Sequence, residues 1–527
     1  MSVEAVKRDE VFTLPSVVGF MLDDVGFVPE VPLSGYSILE PCAGDGAFLV
    51  EIIHRLRASC HVHNQNFDNA LKSVYAVEIK DHNIDDLLNR LKQRCELTVA
   101  QISSINIIKG DYLTAKLPKF DFIIGNPPYV RWDHLDLSVK QQLSKNFTTF
   151  RGRCDLYIAF YEKALSELKP EGLLSFICSN RWFKSAYGKH LRTLIAKRYW
   201  LKAVIDMEST NPFTSNALAY PAITKISGRQ SNGKTNHIVI DDLNLLNEPL
   251  CYQQIEIRSF INKVWSFDSS YNQLLDSKYY TKIETIGYKV NIGIATGKDD
   301  VFIGDDLQNH VEKELLVPVV KGQHLKTKVA PKDLYVIDVF DRNGDLLDLE
   351  QYPKLKKYLE KHKSELSKRH IAKKSSSKWY RTIDKIKKEN IFIDKILLPD
   401  ITGTKEICLG GKGKYPHHNV YYITKNSSTI GLDVLAGILS TDFVASQLGV
   451  VGNKMNGGYP RWQAQNIRRL VIPDARKLST DWLVAMSQAY NDKDYGKMNT
   501  LVLESNIINN YQDIDQMVMF DSASEYN

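Results

Sequence analysis

The sequence predicts an α/β domain with a mostly parallel sheet, followed by a mixed α+β domain. Three observations lead to this prediction: short apolar stretches alternate with helical stretches in the first half, small or polar residues follow the apolar stretches, and the alternation is lost in the second half. Strands that alternate with helices form parallel sheets, which bind ligands at the carboxyl ends of their strands. We therefore expect the functional residues directly after the strands.

Six strands are predicted in the first half. "YSILEPCAGDGAFLVEIIHRL" begins as a strand, turns through Gly44 and Gly46, and continues as a helix with apolar residues at helical spacing. "SVYAVEI", "INIIKGDYL" and "FDFIIG" are the next three strands, "GLLSFIC" is the fifth, and "LKAVIDM" is the sixth. "DLYIAFYEKALSELK" is predicted to be the helix before the fifth strand.

A polar, glycine-bearing stretch, "SGRQSNGKTN", separates the two predicted domains, residues 1–235 and 236–527. The second domain contains a basic block, residues 351–395, which holds 15 Lys and Arg against 5 Asp and Glu, with Trp379 and Tyr380 among them. Such a block is most often a solvated helix face. Basic residues interleaved with aromatic ones also suit a surface that follows nucleic-acid phosphates.

The composition indicates the compartment. The chain of 527 residues has a net charge of +6, which by itself says little. Its seven cysteines include no CxxC pair, which favours a reducing compartment and disfavours a disulfide framework or a structural zinc site. No apolar run reaches the length of a membrane span, and "MSVEAVKRDE" lacks the apolar core of a signal peptide. We expect a cytoplasmic protein with no membrane association and no metal ion.

The ends of the first three strands indicate a nucleoside-containing ligand. Glycines such as Gly44 and Gly46 let a ligand approach the backbone, but Leu49 stands where the dinucleotide fingerprint GxGxxG requires its third glycine. A nicotinamide or flavin dinucleotide is therefore disfavoured. Glu78 ends the second strand, where a carboxylate accepts hydrogen bonds from ribose hydroxyls, and Asp111 ends the third, where an acceptor can bind an adenine amino group. Together they favour an adenosine-containing cofactor.

The fourth strand ends in "DFIIGNPPYVRW", where an amide and two prolines precede an aromatic ring. The prolines end the strand and contribute no N–H donor. An amino group on a heteroaromatic ring is a poor nucleophile because its lone pair is delocalised. If Asn126 Oδ1 and the Pro127 carbonyl accept both of its N–H groups, the lone pair becomes available, while Tyr129 stacks on the ring. A methyl group held in line would then be transferred mainly by positioning.

"NPPY" together with "EPCAGDGAF" resembles the S-adenosylmethionine-dependent amino-methyltransferases, and the motif order is similar to that of the gamma group of DNA adenine N6-methyltransferases. The resemblance implies a Rossmann-like domain, S-adenosylmethionine as cofactor, and a target adenine rotated out of the duplex to stack on Tyr129 and Phe213. It implies the catalytic residues Asn126, Pro127 and Tyr129. It implies the cofactor-binding residues Thr13, Glu40, Cys42, Gly44, Gly46, Glu78, Ile79, Asp111 and Phe160. Phe160 and Phe213 could equally be core residues.

Three segments of the second half, "NIGIATGKDDVFI", "LLVPVVKGQHL" and "GGYPRWQAQNIRRLVIP", resemble in order the specificity domain of Taq-type restriction-modification methyltransferases. This resemblance implies that residues 236–527 recognise a short sequence of double-stranded DNA, and that a separately encoded restriction endonuclease is a partner. The basic residues expected to contact DNA, each of which could equally be an ordinary surface charge, are Lys373, Lys374, Arg381 and Arg461.

Other functions stay open at this point. NPPY is also typical of enzymes that methylate RNA bases or glutamine amides, and cytosine N4 methylation more often goes with Ser or Asp in place of Asn126. Asp68, Glu78 and Lys80 match the spacing of metal-dependent nucleases. A DNA-binding protein without catalysis is a further class, which the intact NPPY motif disfavours.

Overall fold

The computed structural model describes residues 11–215, 220–230, 233–256, 264–325, 333–373, 376–400, 407–452 and 461–507. The chain divides into two compact units, Met1–Phe267 and Asp268–Asn527. No single helix among the described residues is long and apolar enough to cross a membrane. The helices Leu432–Leu439 and Asp442–Val451 reach that length and composition only as a pair, across a bend of 69°.

In the described part of the first unit, one sheet of nine strands organises the fold. Its strands are β1 (Ile38–Glu40), β2 (Val74–Glu78), β3 (Asn106–Lys109), β4 (Phe120–Gly125), β5 (Leu168–Ser179), β6 (Trp200–Asp206), β7 (Pro221–Ser227), β8 (Lys234–Val239) and β9 (Gln253–Glu256). Their order is β3-β2-β1-β4-β5-β7-β6-β8-β9. Among the strands that the structure describes in this sheet, only β7 and β9 pair with their neighbours in antiparallel fashion. The predicted mostly parallel sheet is confirmed.

Helices cover both faces of this sheet. They are α1 (Pro15–Asp24), α2 (Ala47–Val62), α3 (Phe67–Ala70), α4 (Asp81–Arg94), α5 (Val99–Ser104), α6 (Leu137–Asn146), α7 (Tyr157–Ser166), α8 (Arg181–Lys184) and α9 (Lys189–Arg198). Side chains alternate between the faces of a strand. Phe122 and Ile124 of β4 pack with buried residues of α1, α2 and α4, whereas Ile123 packs with those of α7 and α9. The result is a three-layer architecture, in agreement with the predicted α/β class.

All six predicted strands are present, as β1 to β6, and the predicted helix before the fifth strand is α7. The domain boundary differs from the expectation, because the division between residues 235 and 236 falls inside β8. β8 pairs with β6, and β9 pairs with β8, so both strands belong to the large sheet. The first compact unit therefore extends to Phe267. The polar stretch connects two strands of one sheet and does not end the domain.

The second unit is a mixed α+β domain, as predicted. Its strands are β10 (Tyr280–Lys282), β11 (Tyr288–Ile292), β12 (Ile303–Gly304), β13 (Leu316–Val320), β14 (Tyr335–Ile337), β15 (Lys395–Pro399), β16 (Cys408–Gly410), β17 (Tyr415–Pro416), β18 (Val420–Lys425) and β19 (Val471–Pro473). They form sheets of the orders β11-β18-β15-β16, β12-β14-β13-β17 and β10-β19. Its helices are α10 (Ser269–Asp276), α11 (Asp299–Phe302), α12 (Pro353–Lys361), α13 (Lys363–Ser367), α14 (His370–Lys373), α15 (Leu432–Leu439), α16 (Asp442–Val451), α17 (Ala464–Ile467), α18 (Thr480–Asn491) and α19 (Tyr495–Ile507).

The basic block contains amphipathic helices. Leu355 and Leu359 of α12 and Leu366 of α13 are fully buried in a core of the second unit, while the lysines of these helices lie outside it. Tyr380 is also buried, and its hydroxyl donates to the Leu347 carbonyl at 2.5 Å. Tyr380 therefore serves the core and does not offer its ring to a nucleic-acid strand.

Candidate active site

A cavity of about 240 Å³ lies at the carboxyl ends of β1, β2, β3 and β4. This is the edge of the sheet at which parallel α/β folds bind ligands. The predicted site residues in its wall are Thr13, Glu40, Cys42, Gly44, Glu78, Ile79, Asp111, Asn126, Pro127, Tyr129 and Phe160. Gly46 and Phe213 are not part of the wall.

The glycine loop between β1 and α2 requires both of its glycines. Gly44 has φ 53° and Gly46 has φ 87°, values in the left-handed region that favours glycine. A Cβ atom on Gly44 would lie 3.1 Å from the Phe12 ring, and one on Gly46 would lie 3.3 Å from Leu87 Cγ. The loop is therefore packed closely on both sides, and Gly46 contributes to the site by starting α2 in the right direction.

Glu78 holds this loop against the end of β2. Its Oε2 accepts a hydrogen bond of 2.7 Å from the Gly44 N–H, and its Oε1 accepts from the N–H groups of Ile79 and Lys80 at 2.9 and 2.8 Å. A carboxylate has about four acceptor positions, so capacity remains for a ligand hydroxyl. Asp111 is oriented in a similar way, because its Oδ1 accepts from the Leu113 N–H at 2.9 Å.

Buried carboxyl groups line the predicted methionine end of the site. Glu40 is 1% exposed, and its Oε2 has no hydrogen-bond partner in the described part of the chain. Burial, together with the carboxylates of Asp45 and Glu78, raises the pKa of Glu40 well above its usual range. Burial also raises the pKa of Asp45, although Arg90 forms an ion pair with it at 2.5 Å. A cationic ligand would stabilise the ionised form of these carboxyl groups.

The thiol of Cys42 is a hydrogen-bond donor in this structure. Burial and the carboxylates of Glu40 and Glu78 raise its pKa well above the usual range, so the thiol stays protonated. Cys42 Sγ donates to the main-chain carbonyl of Asn126 at 3.0 Å. This bond ties the end of β1 to the end of β4, and it occupies the backbone oxygen of Asn126 while leaving the side chain available.

The side chain of Asn126 has one anchored and one unsatisfied end. Its Nδ2 donates to the Val11 carbonyl at 2.9 Å. Its Oδ1 is buried and has no hydrogen-bond partner among the described residues. The reverse orientation of the amide would bring two oxygen acceptors together, so the Val11 carbonyl decides which atom of the amide is presented. A buried acceptor without a donor costs stability, which a ligand N–H can restore.

Tyr129 and Phe213 are brought together, as the sequence suggested. Their ring centroids lie 5.9 Å apart at an interplanar angle of 71°, an edge-to-face arrangement. Phe213 is 3% exposed, and its backbone forms an antiparallel bridge with Thr13. Two hydrogen bonds extend this bridge, from Leu14 N to Pro212 O at 3.0 Å and from Thr214 N to Phe12 O at 2.9 Å. The N-terminal segment that lines the cavity is thus paired with the segment that carries Phe213.

Phe160 also lines the cavity, and the centroid of its ring lies 5.3 Å from that of Tyr112. A buried ion pair, Lys163 with Glu167, is hydrogen-bonded to the Tyr112 hydroxyl. The Tyr112 hydroxyl donates to Glu167 Oε2 at 2.7 Å, and Lys163 Nζ donates to Glu167 Oε1 at 2.7 Å. Both charged side chains are close to nine-tenths buried. The sequence analysis did not identify Tyr112, and its position directly after Asp111 is the one signal that could have found it.

The residues predicted to contact DNA lie in different environments. Lys373 is exposed at the end of α14. Arg381 is partly buried, and its Nε is without a hydrogen-bond partner in the described part of the chain. Arg461 forms an ion pair with Asp400, so its charge is already compensated. Lys374 lies outside the described residues.

The nuclease arrangement is not formed. Asp68 is exposed in α3, before the amino end of β2, and its Oδ1 accepts from Gln101 Nε2 at 2.8 Å. Glu78 is buried at the carboxyl end of the same strand, about 13 Å further along for a strand of this length. These two carboxylates therefore cannot share a metal ion.

Other wall residues gave no signal in the sequence. Val11 acts through a main-chain carbonyl, which any residue possesses. Phe12 is part of the wall and packs on Gly44. Further wall residues include Asn83, His134 and Leu156. Such residues come from segments far apart in the chain, and only folding brings them to the cavity.

The sequence matches a known protein family and several known relatives. Residues 47–213 match the family described as Eco57I restriction-modification methylase. The chain is 35% identical over 498 residues to the type II methyltransferase M.PaeR7I of Pseudomonas aeruginosa, covering 88% of this chain and 86% of that protein. It is 31% identical over 518 residues to the type II methyltransferase M.XhoI of Xanthomonas vasicola, covering 92% and 94%.

A solved structure has a similar fold. The type IIL restriction-modification enzyme MmeI, in complex with DNA, superimposes with a TM-score of 0.61 at 13% identity, covering 96% of this chain and 76% of that chain. At this level of identity the similarity concerns the fold alone.

Proposed function

The chain belongs to the type II restriction-modification DNA methyltransferases, and we propose that it transfers a methyl group from S-adenosylmethionine to N6 of an adenine in a short duplex DNA sequence. The observation that supports this most directly is the side-chain oxygen of Asn126, which follows β4, is buried, and has no hydrogen-bond partner in the described part of the chain. This atom lacks an N–H donor, and the exocyclic amino group of a base supplies one.

The cavity suits the proposed cofactor chemically. Thr13 Oγ1 and Glu40 Oε2 are buried polar atoms without a partner in the described part of the chain. S-adenosylmethionine offers an ammonium and a sulfonium cation, and it supplies a methyl group bound to electrophilic sulfur. The residues proposed to hold it, from its methionine end to its adenine, are Thr13, Glu40, Cys42, Gly44, Gly46, Glu78, Ile79, Asp111 and Phe160.

The proposed catalysis rests on two acceptors at one strand end. Asn126 Oδ1 and the Pro127 carbonyl accept the two N–H groups of the adenine amino group, which draws its nitrogen towards tetrahedral geometry and concentrates the lone pair. Pro128 contributes no backbone N–H that could compete for these acceptors. The contribution of the chain is therefore preorganised hydrogen bonding and orientation, since the nitrogen attacks with its own lone pair.

A base in duplex DNA cannot reach a pocket at a strand end, so the target adenine must rotate out of the helix. This rotation costs a few kcal/mol of stacking, which Tyr129 and Phe213 partly restore. Because the two rings now pack edge to face, an adenine between them requires Phe213 to shift. We also propose that the second unit recognises the DNA sequence. A separately encoded restriction endonuclease in the same cytoplasm is the proposed partner.

The decisive experiment expresses the chain in a host without DNA methylation and sequences the DNA with a readout of modified bases. N6-methyladenine at one short motif, absent with the Asn126→Ala variant, supports the proposal. N4-methylcytosine at a motif would move the activity to cytosine. Methylated RNA with unmodified DNA would show that the substrate is RNA. Magnesium-dependent cleavage of DNA without added cofactor would show that the protein is a nuclease.

A further inference from the structure

A cluster of metal-ligating side chains lies in the second unit and takes no part in the proposed methyl transfer. Asp299, His417 and His418 each place one ligand atom within 4.8 Å of the others. Asp299 Oδ2 is 2.7 Å from His417 Nε2 and 3.8 Å from His418 Nδ1. Asp299 is the first residue of α11, and the two histidines follow β17.

The hydrogen bonds of His417 leave a conflict at Nε2. Its Nδ1 lies 2.8 Å from Asn419 Oδ1, and Gly322 N donates to the same oxygen at 3.2 Å. The Gly322 bond fixes this atom of Asn419 as an acceptor, so His417 Nδ1 must carry the hydrogen, even though the Asn419 N–H also lies 3.4 Å from it. A neutral imidazole has one N–H, which leaves a lone pair on Nε2 facing the carboxylate oxygen of Asp299.

Two acceptors 2.7 Å apart need a cation between them. We propose that Asp299, His417 and His418 bind a divalent transition-metal ion, with zinc as the best match to two imidazoles and one carboxylate. The alternative is a proton, which would make His417 an imidazolium. The half-exposed ring of His418, held 4.0 Å from the ring of His417, supplies a third ligand that a proton does not need.

The surrounding residues orient these ligands as in known metal sites. Thr296 Oγ1 donates to Asp299 Oδ1 at 2.5 Å, so the other oxygen is directed to the histidines. Asn419 binds the second nitrogen of His417, which is how a ligating histidine is usually held. Tetrahedral zinc would place its ligand atoms about 3.3 Å apart. Binding therefore requires the Asp299–His417 contact to lengthen from 2.7 Å and the Asp299–His418 contact to shorten from 3.8 Å. The site would join segments that meet where Ile294 bridges His417.

The sequence gave no sign of this site. Asp299 and His417 are 118 residues apart, and adjacent histidines do not match the spaced pairs of zinc motifs. The expectation of no metal ion rested on those local spacings. Pairing of β13 with β17 and the bridge at Ile294 bring the ligands together.

Titration of the tag-free, reduced, full-length protein with ZnCl₂ by calorimetry tests the proposal. We expect one saturable site, whose affinity falls at least tenfold in His418→Ala. The matched control is His310→Ala, which removes another half-exposed histidine next to a carboxylate, Asp306, at 3.5 Å and should bind zinc as the parent does. Because His418 is half exposed, the metal-free variant should keep the Tm of the parent.

A second readout locates the ion. With CoCl₂, the parent protein should show the visible bands of a nitrogen and oxygen site, and these should be lost in His418→Ala. An intense near-ultraviolet thiolate band would instead assign the ion to one of the seven cysteines and overturn the proposal. So would the absence of saturable binding, or equal zinc affinities in the two variants. Either of the last two results would leave the contact between Asp299 and His417 as a hydrogen bond without a metal ion.

Discussion

The side-chain amide of Asn126 donates a hydrogen bond of 2.9 Å to the main-chain carbonyl of Val11, a residue 115 positions earlier in the chain. This single bond orients the amide so that its oxygen, and not its nitrogen, is the group without a partner among the residues that the structure describes. The proposed acceptor for the target amino group therefore depends on the N-terminal segment as well as on the NPPY motif. That segment also pairs with Phe213, so the positions of the acceptor and of the second aromatic ring are linked.

The first prediction concerns Asn126. Replacing it with alanine removes one of two preorganised acceptors, and the single-turnover methylation rate should fall by about 10² to 10³ while DNA binding persists. Asn126→Asp keeps an acceptor oxygen but sets a second oxygen against the Val11 carbonyl, so we expect an intermediate rate. An alanine variant that kept most of its rate would refute the acceptor mechanism.

The second prediction separates the ring of Tyr129 from its hydroxyl. The hydroxyl donates to the Ile177 carbonyl at 3.3 Å, a long bond whose loss in Tyr129→Phe should cost at most about 1 kcal/mol. Tyr129→Ala removes the stacking surface and should slow methylation far more. The fluorescence of a 2-aminopurine at the target position should rise on binding to the parent and the Phe variant, and less with the Ala variant. Equal effects of the two substitutions would argue against stacking.

The third prediction concerns Glu40. Because its pKa is raised in the folded protein, the folded state holds a proton that the unfolded state releases above its ordinary pKa of about 4.3. Between the pKa of Glu40 in the unfolded state and its raised pKa in the folded state, this carboxyl group therefore lowers the free energy of unfolding progressively as pH rises. Without cofactor, Glu40→Gln should raise the Tm at pH 8 relative to the parent more than at pH 5, and it should weaken S-adenosylmethionine binding.

The control for Glu40 is Glu171→Gln, which changes an exposed carboxylate paired with Arg229. It should leave both the pH dependence of Tm and cofactor binding almost unchanged. If Glu40→Gln behaved as this control does, the ionisation of Glu40 in the folded protein would be ordinary.

The fourth prediction concerns the buried pair behind Tyr112. Removing one charge from Lys163 and Glu167 leaves the other uncompensated, so Lys163→Met should destabilise the first unit by about 3–5 kcal/mol. The double variant Lys163→Met/Glu167→Gln should be less destabilised than the single one. Thermal unfolding of the parent, the two single variants Lys163→Met and Glu167→Gln, and the double variant measures this, and additive losses would show that the two charges do not interact.

The fifth prediction tests the basic surface of the second unit. If exposed Lys373 neutralises a DNA phosphate, Lys373→Ala should reduce the slope of log affinity against log salt by about 0.9, equally for specific and non-specific DNA. Arg461→Ala should change this slope less, because Arg461 already pairs with Asp400. An unchanged slope for Lys373→Ala would remove this residue from the DNA surface.

The sequence by itself determined the features that are local in the chain. Hydrophobic periodicity identified β1 to β6 and α7, because side-chain spacing along one element reports which face is buried. The glycine loop, Glu78, Asp111 and NPPY were assigned to one ligand edge because parallel strands end on the same side of a sheet.

Only the tertiary structure decided what depends on contacts between distant segments. Strand pairing placed β8 and β9 in the first unit against the indication of a polar stretch, and core packing turned Tyr380 inward. The anchor of Asn126 at Val11 and the meeting of Asp299 with His417 join residues more than a hundred positions apart. Such contacts are fixed by the free energy of the whole fold, and a local pattern of residues cannot encode them.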